Sequence, residues 1–274
     1  MSTVDQVVRV AGSAHTPSRL SQVWSHRELL HSMIVRNLKV KYQRSLLGFV
    51  WTLINPLLTV AILVLIFSHV VRIPLPDYWA FVLSGYFVWN CTLQTLNTGT
   101  YIFAEHSRLT RSVAFPSEIL VFSAAGSRVL EFLAEIVLIM IVLALFHHSR
   151  VPASFALLPL LLLIQILLVI GLALPIATLS VFYYDVQHAL PIALTTLFYL
   201  SPVFYPVGMV PEAVRPFYFL NPIAGLLTLY HQVLYEGRMP PLTLLLGVIA
   251  GALLVYTIGY AVFKRYASVY AEIV

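Results

Sequence analysis

Six apolar stretches govern what this chain can become: Leu53 to Val71, Tyr78 to Asn97, Ile119 to Phe146, Phe155 to Phe182, Leu190 to Tyr205 and Leu242 to Phe263. Crossing about 30 Å of hydrocarbon takes roughly 20 apolar residues in a helix, and each stretch meets that length or comes close. The fifth is short. The composition is 60% hydrophobic and only 10% charged, with a mean hydropathy of +0.90. Soluble domains carry about a quarter charged residues. The prediction is an all-α integral membrane protein with six transmembrane helices over residues 47–265.

The segment between the fifth and sixth stretches holds Pro206, Pro211, Pro216, Pro222, Pro240 and Pro241 among many aromatics. It is too apolar for an exposed loop and too broken for a full span. Irregular backbone at membrane depth is tolerated where protein or a water-filled cavity satisfies it, so a re-entrant hairpin over about 206–241 is expected.

Lys and Arg counts set the orientation. With an even number of spans, Arg9, Arg19, Arg27, Arg36, Lys39, Lys41, Arg44, Arg108, Arg111, Arg128, Lys264 and Arg265 share one side, which is 12 of the 16 basic residues. Only Arg72, Arg150, Arg215 and Arg238 fall on the other. The excess of Lys and Arg on the cytoplasmic side of membrane proteins then puts both termini in the cytoplasm. The formal charge of +5 and pI near 9.3 sit at the ends of apolar spans and form no stripe. Lipid headgroups are the counter-charge this layout fits, and nucleic acid is not an expected partner. Cys91 is the only cysteine, so no intramolecular disulfide can form.

No apolar run followed by a small-residue cleavage site opens the chain, so no signal peptide is read. Residues 1–20 are polar and expected to be a mobile cytoplasmic terminus, and 266–274 a cytoplasmic tail. Between them, 21–46 is expected to hold an amphipathic helix in the headgroup plane. Val23, Leu30, Met33, Ile34 and Leu38 share one face there, opposite Glu28, Ser32, Arg36 and Lys39. Lys41 and Arg44 return to the apolar side. The basic residues Lys39, Lys41 and Arg44 suit a topology-setting flank and equally a first contact for anionic phosphate.

Inside the third stretch stand Arg128, Glu131 and Glu135, on one helical face beginning about 14 Å from Ile119. Ionisable groups at that depth face protein or water. They fit a gate or conduit wall, and also an Arg128 to Glu131 pair with Glu135 bonded to a neighbouring helix. Gly247 and Gly251, with Gly259 beyond, suit close helix packing or a subunit interface. His147 and His148 lack a nearby set of metal ligands, and Asp77 and Glu212 pair with no nucleophile, so neither a metal site nor catalysis is expected.

Arg36-Asn37-Leu38-Lys39, Tyr42, Ser45-Leu46-Leu47-Gly48, Trp51 and Asn55-Pro56-Leu57 together form a pattern. It is followed by Phe115-Pro116-Ser117-Glu118, by Ser201-Pro202-Val203-Phe204-Tyr205-Pro206 and by Asn221-Pro222. This order and spacing resembles the membrane subunit of bacterial ABC exporters for O-antigen, capsule and teichoic-acid polysaccharides, over roughly Leu29 to Arg265. One departure is Tyr184-Asp185, where the family often carries Arg-Asp.

The resemblance implies a permease in the bacterial cytoplasmic membrane, not an enzyme. It implies a homodimer joined to two copies of a separate ABC ATPase. The chain has no phosphate-binding G-x-x-x-x-G-K-[ST] loop, so ATP and Mg would belong to that partner and no cofactor to this chain. A short segment between the second and third spans docks the ATPase in the family; here it is Glu105 to Ser117, with Arg108, Arg111, Phe115 and Pro116. The implied substrate is a glycan on a lipid diphosphate, with Lys39, Lys41 and Arg44 meeting its headgroup. Sugar C–H faces pack on aromatic planes, which makes Tyr78, Phe81, Trp89, Phe198, Tyr199 and Tyr205 candidates for a channel lining; the same rings also suit interfacial belts or helix packing. An ABC exporter of drugs or small lipids and a membrane enzyme acting on lipid-linked sugars are the competing readings. A secondary transporter would show internal repeats, which the two halves do not obviously share.

Overall fold

The computed structural model describes residues 25–43, 45–106, 116–147 and 151–266, and no strand occurs among them. Nine α-helices follow one another among the described residues: α1 Arg27–Tyr42, α2 Trp51–Leu65, α3 Tyr78–Glu105, α4 Glu118–Phe146, α5 Leu158–Phe182, α6 Val186–Tyr199, α7 Arg215–Tyr218, α8 Pro222–Tyr230 and α9 Leu242–Tyr266. Short 3-10 or π turns extend several of them. Both α2 and α8 end in a π turn, at Ile66–Val70 and His231–Tyr235.

Among the described residues, four helical segments are long and apolar enough to cross a membrane: Gly48–Val70, Glu118–Phe146, Ala153–Phe182 and Leu242–Tyr266. They coincide with the first, third, fourth and sixth predicted stretches. The other two differ for separate reasons. α3 has 28 residues, about 42 Å, but carries many polar groups, Asn90, Thr92, Gln94, Thr95 and Asn97 among them. α6 has 14 residues, only about 21 Å, because the helix stops before Ser201-Pro202.

The polarity of α3 follows from its place. It is the central helix, packed against α2, α4, α5, α6 and α8, and most of its residues are buried. Its buried hydroxyls return to its own backbone: Ser84 donates to the Phe81 carbonyl at 2.8 Å, Thr92 to Val88 at 3.2 Å and Thr95 to Cys91 at 2.8 Å. Each group thereby keeps an acceptor away from water.

The tightest helix crossing joins α5 to α9. A Cβ on Gly171 would fall 2.6 Å from the Tyr256 Cα, and one on Gly259 would strike the Gly171 carbonyl. The expected glycine contact is thus made at Gly259, within the chain. Gly251 faces Pro222, and Gly247 faces open space.

After α6 the chain doubles back. Tyr78 at the start of α3 donates to the Phe204 carbonyl at 2.5 Å, so residue 204 lies level with that end of α3. Asn221 then donates to Ser201 Oγ at 3.0 Å and caps α8 by accepting from the Ile223 N–H at 3.0 Å. Pro222 at the first turn needs no N–H there. α8 runs antiparallel to α9, with Pro222 beside Gly251 and Gly225 against Val248, and its π turn returns to the Asp77 end of α3. There Tyr235 donates to the Pro76 carbonyl at 2.6 Å.

One buried histidine fastens this excursion. His231 stacks on Phe81 with ring centroids 3.9 Å apart, donates from Nε2 to the Pro202 carbonyl at 2.8 Å, and meets Ser84 Oγ at 2.9 Å through Nδ1. Only a glycine at 85 admits the ring, since a Cβ would sit 2.6 Å from it. At the same end, His147 pairs with Asp77 at 2.8 Å and touches the Tyr235 carbonyl at 2.9 Å. Sequence spacing left His147 and Asp77 without partners; the fold joins them across 70 positions. His148 lies outside the described residues.

Overpacking a closed crossing costs about 1–3 kcal/mol or more. Gly259→Val should therefore lower the thermal melting midpoint in detergent well beyond Gly247→Ala, whose site has room. Equal melting of the two variants would contradict the crossing.

Candidate functional site

α1 lies along α4 with Leu29, Leu30 and Met33 toward the core, and Ile34 over Gly126, where a Cβ would fall 2.8 Å from its Cδ1. Glu28, Ser32 and Lys39 are exposed on the opposite face, while Arg36 at its edge reaches back toward His106. That packing delivers the C-terminal turn of α1 to the charged face of α4.

The result is one network. Lys41 Nζ donates to both Glu131 carboxylate oxygens at 2.8 Å, and Arg128 Nη1 donates to Glu131 Oε2 at 2.7 Å. Arg128 Nη2 reaches Glu135 Oε1 at 2.8 Å and Oε2 at 3.1 Å. The Tyr42 hydroxyl donates to Glu131 as well and meets Thr52 of α2. Burial, with the bond to Glu131, holds the Tyr42 pKa well above its ordinary value, so the phenol stays a donor near neutral pH. Arg128, Glu131 and Glu135 are 6%, 2% and 0% exposed, whereas Lys41 is 50% exposed.

Two expectations change here. Glu135 bonds Arg128 on its own helix, not a neighbouring helix, because seven residues is two turns and the guanidinium spans them. Lys41, predicted separately from the charges of α4, is part of the same cluster. The Nε of Arg128 remains buried with no partner among the described residues.

Two confluent clefts open beside this network. One, of about 420 Å³, runs from Arg36 and His106 to Lys41 and Arg128. Along it Arg36 Nη2 donates to His106 Nε2 at 2.6 Å, while His106 Nδ1 donates to the Ile102 carbonyl at 3.0 Å. The second, of about 270 Å³, continues between α2 and α3 past Trp51, Asn55 and Asn90. Lys41, Gln94 and Arg128 line both.

The other predicted residues separate. Lys39 is exposed on α1. Arg44, Arg108, Arg111 and Phe115 lie outside the described residues, and Pro116 leads directly into α4. Tyr78, Phe81 and Trp89 are buried inside the chain, at 5%, 4% and 2% exposure, with Trp89 against Phe198 at 5.6 Å. Tyr199 is exposed, and Tyr205 is half-buried, donating to the Tyr199 carbonyl at 3.0 Å. Sequence reasoning missed Asn55, Tyr86, Asn90 and Gln94 as cleft residues. Their signal was available: polar and aromatic residues at four-residue spacing along two facing helices. No group of three metal-binding side chains occurs among the described residues.

Residues 28–235 match the profile of the ABC-2 type transporter family. The O-antigen export system permease protein RfbA of Myxococcus xanthus is 29% identical over 92% of this chain and 97% of its own length. A Klebsiella pneumoniae protein of the same name is 26% identical over 90% of this chain and 95% of its own length. The polysialic acid transport protein KpsM of Escherichia coli is 21% identical over 76% of this chain and 81% of its own.

Removing one member of a buried charge network strands the others, at a cost of about 3–5 kcal/mol. Arg128→Leu, which leaves Glu131 and Glu135 together, should lower stability by that order in a detergent unfolding assay. Lys41→Met should cost under about 1 kcal/mol, because Lys41 is half exposed to screening. An Arg128→Leu melt equal to wild type would show that the network does not hold α4.

Proposed function

The chain belongs to the ABC-2 type transporter family, and from that premise we propose that it is the permease subunit of an ATP-driven exporter of lipid-linked polysaccharide across the bacterial cytoplasmic membrane. The observation that carries this reading is the end-to-end similarity to a protein named as an O-antigen export permease, over 97% of that protein's length. Family membership implies an ABC ATPase as partner. We take the assembly to be two copies of this chain with two ATPase chains, which would bring the ATP and Mg; no cofactor is assigned to this chain.

In this reading six segments cross the bilayer: α2, α3, α4, α5, α6 with its extension to Tyr205, and α9. α3 can cross despite its polarity because neighbouring helices surround it. Both termini are cytoplasmic, and α1 lies in the inner headgroup plane. The re-entrant reading of 206–241 is supported by the bonds of Asn221 to Ser201 and of Tyr235 to Pro76.

Lys39, Lys41 and Arg44 would meet the anionic headgroup of the substrate. Lys41 is the best placed of them, at the junction of both clefts and beside Arg128. Exchange of its Glu131 contact for a phosphoryl group would loosen α1 from α4, giving Arg128, Glu131 and Glu135 a gating role. Tyr199 and Tyr205 are the conduit rings with open faces, backed by Phe198 and the buried Trp89, Tyr78 and Phe81. Arg108, Arg111, Phe115 and Pro116 would dock the ATPase.

Co-expression with a cognate ABC ATPase should yield a stable complex whose ATPase rate rises several-fold with lipid-linked glycan and not with hydrophobic drugs. Absence of any ATPase partner, or stimulation by drugs alone, would overturn the reading. Lys41→Glu should abolish export with the termini still cytoplasmic by cysteine labelling.

A further inference from the structure

The second cleft is walled by two ladders. Trp51, Asn55 and Thr59 stand at four-residue spacing on α2, and Tyr86, Asn90 and Gln94 stand at the same spacing on α3. Each set therefore makes one stripe down its helix. α2 and α3 are consecutive, packed and joined by the short link at 71–77, so they run in opposite directions. Trp51 then faces the level of Gln94, Asn55 that of Asn90, and Thr59 that of Tyr86. The stripe pairs amide with amide at its centre and places one aromatic ring toward each end.

Packing alone does not account for this stripe. Asn90 is 8% exposed, yet no side-chain hydrogen bond joins its amide to another described residue, and the same holds for Asn55 and Gln94. The Asn90 amide is not fully enclosed and reaches the cleft surface. The neighbouring hydroxyls behave differently, since Thr92 and Thr95 both return to their own helix. Unpaired amides in a membrane helix are costly unless the cavity they face supplies partners.

The chemistry of the stripe is specific. All six side chains are neutral, so the cleft wall between the rings does not select an ion. Each amide offers donors and an acceptor together, which matches a hydroxyl that both gives and takes a hydrogen bond. The exposed faces of Trp51 and Tyr86 offer flat apolar surfaces for C–H groups. Positive charge appears only at one end, where Lys41 and Arg128 line the cleft.

We propose that the Trp51–Asn55–Thr59 and Tyr86–Asn90–Gln94 ladders form a saccharide subsite that holds a pyranose unit, with Lys41 and Arg128 at its charged end receiving the phosphoryl group attached to it. This rests on the export reading above and adds the residues that tell a glycosylated lipid from a bare one. The ladder reads the sugar; the charged end reads the phosphate.

The test uses the permease with its ATPase in nanodiscs and two probes: a polyprenyl diphosphate carrying one N-acetylhexosamine, and the same polyprenyl diphosphate without sugar. Wild type should bind the glycosylated probe roughly tenfold more tightly than the bare one, the order expected of two hydrogen bonds and a ring contact. Asn90→Leu and Asn55→Leu should each bring that ratio toward unity with bare-lipid affinity unchanged. Asn55 is exposed, so its variant tests the site without disturbing packing. Tyr86→Phe should keep the ratio, and Lys41→Gln should weaken both probes together. An unchanged ratio in Asn55→Leu and Asn90→Leu, with glycolipid still stimulating the ATPase, would overturn the saccharide subsite and spare the export reading. Wild type that binds neither probe would overturn both.

Discussion

The Arg128 guanidinium, buried between Glu131 and Glu135, is the interaction on which the rest of the arrangement depends. A lone cation at that depth would be prohibitive, and so would two adjacent carboxylates. Held together on one helix face, the three leave a single negative charge, and Lys41 supplies its counter-charge from another element. Charge balance in α4 is therefore incomplete until α1 docks. That requirement brings the basic segment onto the bundle and sets the two clefts on either side of Lys41.

The two ends of this network differ in strength. Around Arg128 almost no side-chain surface meets solvent, and removal of any partner carries a penalty of several kcal/mol. Lys41 is half exposed, where an ion pair contributes at most about 1 kcal/mol. α4 is thus firmly locked, while α1 is fastened by its apolar face and a weak electrostatic contact. An anion competing for Lys41 works against the weak bond.

Much of the fold was legible because hydrophobic run length is a direct physical signal: the four long apolar helices match predicted stretches closely. Helix ends were harder. α6 stops short of its apolar run because Ser201-Pro202 turns there to accept His231 and Asn221, contacts made by residues 29 and 20 positions away. The site was legible in part. The i, i+3, i+7 spacing of Arg128, Glu131 and Glu135 identified the charged face, but no local pattern could join it to Lys41, 90 residues distant from Glu131. Aromatic rings misled for a related reason: Phe81 and Trp89 share a helical face with good channel chemistry, yet in the fold that face is covered by His231 and Phe198.

Helix α3 separates structural from functional polarity without help from any ligand. Hydroxyls are short and can reach a carbonyl one turn back, so Ser84, Thr92 and Thr95 are satisfied wherever the helix is buried. An Asn or Gln amide has more donors and acceptors than its own helix can serve. Gln165 of α5 illustrates a structural use of the amide nitrogen, with its Nε2 bonded to Val88 and Thr92 across the helix interface while its Oε1 stays enclosed. Asn90 and Gln94 have no such neighbour and face a cleft instead. Two amides on the most buried helix, both turned to the same open side and matched by Asn55 opposite, make that side a surface for something that itself donates and accepts hydrogen bonds.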